Sequence, residues 1–157
     1  MIALTVVRPL VRRTGLALVA VLTVAVPAAF ASSSVATKES RTRATPNVAS
    51  GGRLAVRATR LSPKRIRVTF KLSATAKRDT QARFLAAPCT KGGCIDTGSR
   101  AGRAFALAQG TTTIVRTVTL RRASSGAIAC VDAFAYDLGP DGANIRGTIG
   151  QAKVCPR

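Results

Sequence analysis

The four cysteines are the residues of this 157-residue chain whose type and spacing could do covalent chemistry. Cys89 and Cys94 enclose Thr90 to Gly93, and the two glycines of that segment make a tight local loop sterically easy. A disulfide between them leaves Cys130 and Cys155 for a second one, although other pairings stay open. A zinc site is the alternative, but a chain without histidine fits the usual ligand sets poorly. We therefore predict two disulfides, no metal site and no cofactor.

Catalytic residues are scarce because the chain contains no histidine. This absence removes the commonest general base and every Ser-His-Asp or Cys-His arrangement. Among the carboxylates, Asp132 lies in the interior of a predicted strand, where we expect a structural ion pair with an arginine such as Arg116. Asp137, Asp141 and Asn144 are expected in a hairpin turn rather than in a calcium loop. The sequence thus predicts no catalytic residues, and the protein is not expected to be an enzyme.

The first 31 residues indicate the compartment in which these groups act. A stretch with three arginines precedes an uncharged apolar run over 15–29, and Ala29, Phe30 and Ala31 then form a small-residue cleavage site. This pattern is typical of a secretory signal peptide over residues 1–31. An uncleaved anchor is the alternative, but the apolar run is shorter than the roughly 20 residues that span a bilayer. We predict a secreted protein, free of the membrane after cleavage, whose cysteines can oxidise.

The charge of the chain is strongly positive, with 25 Lys and Arg against 6 Asp and Glu and a formal net charge of +19. Without the three arginines of the signal peptide, residues 32–157 still carry +16. Such an excess attracts polyanions such as nucleic acid, anionic wall polymers or lipid headgroups. The alternative is that the charge reflects an arginine-rich composition and serves only solubility.

Two segments follow the signal peptide. Residues 32–52 are rich in Ser, Ala, Thr and Arg and contain few apolar side chains, which predicts a disordered leader. Residues 53–157 are long enough for one domain with a modest core. Within this domain the apolar periodicity is two, most clearly where Ile66, Val68, Phe70 and Leu72 alternate with polar residues.

Turn signals separate this strand from several others of similar length. Helix is expected to be almost absent, with one turn at most over 73–82. About seven short strands predict an all-β fold, an antiparallel β-sandwich. The other strands are predicted over 53–58, 81–87, 103–108, 111–120, 127–137 and 145–154.

The segment from Ala127 to Asp137, followed by Gly142, Ala143 and Asn144, resembles the bacterial immunoglobulin-like and fibronectin type III-like domains of secreted proteins. In that family the penultimate strand commonly ends in an Ala-x-Asp sequence and a Gly-Asn turn. The resemblance implies an immunoglobulin-like antiparallel β-sandwich and a binding or adhesive role. The chain departs from antibody domains because it has no tryptophan, and because the strand over 66–72 has no cysteine for an inter-sheet disulfide.

The remaining candidate site is a basic surface. If the strands over 53–58 and 66–72 lie side by side with apolar residues inward, their basic residues share the outer face of the sheet. Threonines of the 111–120 strand would lie beside them if that strand is the next neighbour. The predicted polyanion-binding residues are Arg53, Arg57, Arg67 and Lys71, and the neighbouring threonines are Thr69, Thr117 and Thr119.

We therefore expect a non-catalytic secreted module that associates with anionic cell-wall polymer or another polyanion, either free outside the cell or held at its wall. No specific nucleic-acid binding is expected, because the aromatic residues that could stack on bases are predicted to lie in the core. These are Phe70, Phe84, Phe105 and Phe134, and Tyr136 is the one aromatic residue expected at the surface. The alternative is a secreted small-ligand carrier or protein inhibitor, with its partner near residues 89–98 or between the sheets. The sequence leaves the oligomeric state open.

Overall fold

The computed structural model describes residues 34–91, 93–94, 99–121 and 126–157, so the predicted signal peptide lies outside the described residues. The described chain is all-β and contains no helix, which confirms the predicted all-β class. The strands in chain order are β1 (Val35–Arg41), β2 (Arg53–Ser62), β3 (Arg65–Ala76), β4 (Thr80–Thr90), β5 (Gly93–Cys94), β6 (Arg100–Ala101), β7 (Phe105–Leu107), β8 (Gly110–Arg121), β9 (Cys130–Gly139) and β10 (Gly147–Val154).

The strands form two antiparallel sheets. The first sheet has the order β1-β2-β3-β8. The second has the order β10-β9-β4, and the short strands β5, β6 and β7 pair along the other edge of β4. The ladder between β3 and β8 runs from Arg65 opposite Arg121 to Ala76 opposite Gly110 without a register shift. This unbroken ladder gives the first sheet a long, regular surface.

The inner faces of the two sheets pack on each other through one apolar core. The alternation of β3 directs its apolar residues inward, because successive side chains of a strand point to opposite faces. Phe70 of β3 stacks on Phe84 of β4 with ring centroids 4.6 Å apart, and Phe84 lies 4.8 Å from Phe105 of β7. Aromatic pairs of this kind bury large apolar areas. They fix β3 of the first sheet against β4 of the second.

Phe134 does not belong to this core, so the prediction that placed it there is wrong. On β9 the buried positions are those of Val131, Ala133 and Ala135. Phe134 and Tyr136 lie on the opposite side of the strand, with their rings stacked at 5.6 Å. The segment over 127–137 is apolar at both parities, so its sequence does not indicate which parity faces the other sheet.

The predicted disordered leader over 32–52 is wrong for the described residues 34–52. Strand β1 pairs with β2 from Val35 opposite Thr59 to Arg41 opposite Arg53. The chain after β1 is held as well: Val48 is fully buried and forms a bridge with Ala76. The folded unit therefore includes residues well before position 53. Polar composition concealed this strand because β1 lies at the edge of its sheet and buries no large side chain.

Gly51 and Gly52 return the chain from this segment into β2. Gly51 has a φ of 96°, in the left-handed region that L side chains rarely adopt. A Cβ atom on Gly52 would collide with the backbone oxygen of Ser73. These glycines therefore make a tight packed corner.

The described residues form ten strands instead of about seven. Seven of them, β2, β3, β4 and β7 to β10, correspond to predicted segments, with bounds that differ by a few residues. The additional ones are the edge strand β1 and the two-residue strands β5 and β6. Residues 73–82 contain no helical turn, because β3 continues to Ala76 and β4 begins at Thr80.

Candidate polyanion-binding face

The outward side of the first sheet carries the predicted basic residues. The inward positions of β2 and β3 are buried and the outward positions are exposed or half-buried, as alternation requires. We call the outward positions of β1, β2, β3 and β8 the basic face. Its basic residues are the four predicted ones, Arg53, Arg57, Arg67 and Lys71, together with Arg41, Arg65 and Arg121.

The cross-strand neighbours of the central basic residues are small, apolar or hydroxyl-bearing. Directly opposite residues of an antiparallel pair share a face and lie close together. The neighbours are Thr37 and Thr69 for Arg57, Thr59 and Thr119 for Arg67, and Ala55 and Val115 for Lys71. No acidic side chain therefore stands directly beside these three cations.

Glu39 is the one acid among the described residues of the basic face. Its carboxylate lies 3.7 Å from Nη1 of Arg53, and both side chains are exposed. An exposed pair of this kind contributes about 0 to 1 kcal/mol. Arg57, Arg67 and Lys71 form no ion pair with any described residue. Their positive charge is free to attract a ligand.

Threonines accompany the basic residues, as the sequence predicts. The hydroxyls of Thr69 and Thr117 lie 3.1 Å apart, and those of Thr75 and Thr111 lie 2.9 Å apart. Strand β8 also presents Thr113 and Thr119 outward. Hydroxyls both donate and accept hydrogen bonds, so they can add contacts to phosphate or carboxylate oxygens beside the charged groups.

The face is not wholly flat. A depression of about 290 Å³ lies between β1, β2, β3 and β8, with Glu39, Arg53 and Lys71 in its lining. The basic residues extend well beyond this depression, from Arg53 of β2 at one end of the sheet to Arg67 of β3 near the other end. This arrangement suits an extended ligand.

Both predicted disulfides are present. Cys89 is bonded to Cys94 and Cys130 to Cys155, and no free cysteine is found in the described chain. Cys89 and Cys130 stand directly opposite each other on β4 and β9. The two disulfides thus continue the row formed by Cys89 and Cys130. Cys89 is linked to β5 on one side, and Cys130 is linked to the chain after β10 on the other. With their sulfurs bonded to each other, the cysteines are not zinc ligands.

Asp132 does not pair with Arg116. Its carboxylate accepts hydrogen bonds from Nε2 of Gln151 at 3.1 and 3.2 Å. The guanidinium of Arg116 lies 5.8 Å from the ring centroid of Phe105 instead. The predicted pair fails because Asp132 shares the outward side of β9 with Phe134, whereas Arg116 belongs to the other sheet.

Asp137 has a role that the sequence analysis missed. It lies near the end of strand β9 and not in the predicted hairpin turn. It is fully buried and forms no ion pair with any described residue. Its carboxylate accepts hydrogen bonds from the hydroxyls of Thr45 at 2.7 Å and Thr80 at 3.0 Å, and from the backbone N–H of Gly139 at 3.0 Å. The side-chain amide of Asn47 donates to both oxygens, at 3.0 and 3.1 Å.

These donors determine the charge state of Asp137. Burial by itself raises the pKa of the carboxyl, but the hydrogen bonds from Thr45, Gly139, Asn47 and Thr80 together outweigh it and hold the pKa below its ordinary value. The carboxylate therefore stays ionised and ties the segment before β2 to the start of β4. This is a structural role, and the residue is not presented to a substrate.

Neither family models nor curated proteins match this chain. Among the described residues, no group of three or more His, Cys, Asp or Glu is placed to hold a metal ion. The part of the chain that the structure covers also contains no helix long and apolar enough to cross a membrane.

Proposed function

We propose that this chain is a non-catalytic secreted module of the immunoglobulin-like class that binds anionic cell-surface or extracellular polymers through its basic face. The observation that carries the proposal is the charge of that face, where seven basic side chains stand with a single acid among the described residues. The basic residues are gathered on one regular surface, and the central ones have no acidic partner there.

The strand order supports the immunoglobulin-like class. If β2, β3 and β8 are equated with strands A, B and E, and β4, β9 and β10 with C, F and G, the two sheets read A-B-E and G-F-C. These are the neighbours found in immunoglobulin sandwiches. Strand β1 then adds an extra edge beside strand A.

Two features support export. Disulfides persist in oxidising compartments, and this small domain contains two of them. The sequence over residues 1–31 has the charged, apolar and small-residue regions of a signal peptide. A domain released by cleavage would then meet the anionic polymers of the cell's surroundings.

The geometry of the sheet suits an extended polyanion. Outward side chains repeat about every 7 Å along a strand, and neighbouring strands lie about 4.8 Å apart. Long arginine and lysine side chains on such a grid can reach many anionic groups of a flexible polymer at once. Binding of this kind is driven by counterion release, so we expect little sequence preference and a steep loss of affinity with salt.

Neutralising the basic face should abolish most of this binding. The variant in which Arg53, Arg57, Arg67 and Lys71 are changed to serine removes four cations from one surface. We expect its affinity for immobilised heparin and for isolated cell wall to fall about tenfold or more at low salt. Retention at low and moderate salt, compared with the unaltered protein, gives the measurement.

A matched control variant separates the face from net charge. The control changes Arg43, Arg100, Arg103 and Lys153 to serine. Like the face variant it removes three arginines and one lysine, but from exposed positions off the basic face. This control should keep most of its affinity. Equal losses in the two variants would contradict a specific face, and unchanged retention in the face variant would mean that its charge serves only solubility.

A further inference from the structure

A cavity of about 740 Å³ opens at one end of the sandwich, far along the strands from the Asp137 network. It lies between the end of β4, the segment leading into β9, and the chain that follows β10. Small-molecule sites commonly have volumes of about 300 to 1,000 Å³. The lining includes Arg60, Lys91, Ala127, Ala129 and the disulfide-bonded Cys130 and Cys155.

Most of the wall is apolar. Ala127 and Ala129 form one side, and the disulfide between Cys130 and Cys155 continues it toward Pro156. No aspartate or glutamate belongs to the described lining. Such a wall favours the apolar body of a ligand, because burying apolar surface is favourable by about 25 cal/mol per Å².

Arg60 supplies a fixed positive charge within this apolar setting. It has the same strand parity as the core residues Val56 and Ala58, so it points into the end of the sandwich and not onto the basic face. Its Nη1 donates to the carbonyl of Ile128 at 2.8 Å, and its Nη2 donates to the carbonyl of Pro156 at 2.7 Å. Neither partner is charged, and Arg60 has no acidic partner among the described residues.

The walls around Arg60 are held in place by the fold. The backbone N–H of Ile128 donates to the carbonyl of Pro63 at 2.9 Å, and that of Ala129 donates to the carbonyl of Cys89 at 2.8 Å. The disulfide of Cys130 fixes the continuation of the same wall toward Pro156. The cavity is thus preformed, which lowers the ordering cost of binding. Lys91 adds a further cation to its lining.

We propose that this cavity binds a small amphipathic carboxylate. The apolar body lies against Ala127, Ala129 and the disulfide, and the carboxylate meets Arg60 and Lys91. Arginine has five N–H donors, two of its nitrogens already contact carbonyls, and the remaining donors match the geometry of a carboxylate. The site is separate from the basic face, so either can fail without the other.

The test compares an anion with its neutral counterpart. Decanoate and 1-decanol are titrated against the purified protein by displacement of the fluorescent probe 8-anilino-1-naphthalenesulfonate. We expect decanoate to bind at least about tenfold more tightly than decanol, equivalent to about 1.4 kcal/mol. Arg60→Gln and Lys91→Gln should each weaken the binding of decanoate and leave the binding of decanol nearly unchanged. Ala127→Trp, at an exposed lining position, should weaken the binding of both ligands because the indole fills the cavity.

Lys91→Gln keeps the test decisive if Arg60→Gln is destabilised by the loss of its contacts, since Lys91 is exposed. Arg67→Gln on the basic face serves as the charge-matched control and should bind decanoate as the unaltered protein does. Equal affinities for decanoate and decanol would overturn the proposal. Decanoate binding that Ala127→Trp leaves unchanged would overturn it too, because the ligand would then occupy another place.

Discussion

Replacing Asp137 with asparagine should lower the free energy of unfolding by about 3 kcal/mol or more. The carboxylate is fully buried, and the groups around it are donors: the hydroxyls of Thr45 and Thr80, the amide of Asn47 and the N–H of Gly139. An amide at position 137 turns one acceptor into a donor that faces these donors. Buried donors then lose their partner, and each such loss costs about 1 to 3 kcal/mol. Denaturant unfolding of both proteins gives the difference.

Asp141→Asn is the matched control, because Asp141 belongs to the turn that follows the same strand. Its carboxylate is exposed and lies 3.5 Å from Nη2 of Arg146. Exposed pairs of this type contribute about 0 to 1 kcal/mol, so the control should unfold close to the unaltered protein. A loss in Asp137→Asn no larger than that of the control would contradict the role given to the buried carboxylate.

The same carboxylate predicts a pH dependence. Its folded pKa lies below the ordinary aspartate value, so the stability it contributes is fully present above the unfolded pKa of about 3.9. That contribution declines as the pH falls below this value and through the folded pKa. The difference in the free energy of unfolding between the unaltered protein and Asp137→Asn should therefore be constant above about pH 5. It should shrink below about pH 4. A difference that grows on acidification would contradict the assignment.

Removal of the Cys130–Cys155 disulfide by a double change to alanine should cost about 3 to 4 kcal/mol of stability. This bridge joins residues separated by 25 positions, so it restricts the unfolded chain more than the Cys89–Cys94 bridge, whose separation is 5. It also holds the chain end whose Pro156 carbonyl accepts a hydrogen bond from Arg60. Chemical unfolding without reductant measures the loss.

The paired change of Cys89 and Cys94 to alanine provides the comparison, with an expected cost of about 2 kcal/mol. Changing both members of each pair avoids a free thiol that could exchange with the remaining bridge. A larger loss from the short loop than from the long one would contradict the ordering based on loop length.

Alternation in the sequence was sufficient to predict β2 and β3 and the outward placement of Arg57 and Arg67. These strands have one polar and one apolar side, and that contrast fixes which residues face the core. The contrast is missing in β9, and there the position of Phe134 was predicted wrongly. The disulfides were predictable because a short Gly-containing loop favours a local pair.

The contacts that join distant segments were not visible in the sequence. Asp137 lies 92 positions from Thr45, and no local pattern indicates that a carboxylate will gather donors from three parts of the chain. The same holds for Arg60, whose partners Ile128 and Pro156 come from the other end of the domain. Strand β1 was missed because an exposed edge strand needs few apolar residues.

The salt dependence of polyanion binding tests the central proposal most directly. The slope of log K against log salt for heparin reports the number of anionic groups neutralised, at somewhat less than one per contact. We expect a steep negative slope for the unaltered protein, a slope shallower by about 3 to 4 for the variant with serine at Arg53, Arg57, Arg67 and Lys71, and little change for the control at Arg43, Arg100, Arg103 and Lys153. The same slope in all three proteins would contradict binding through the basic face.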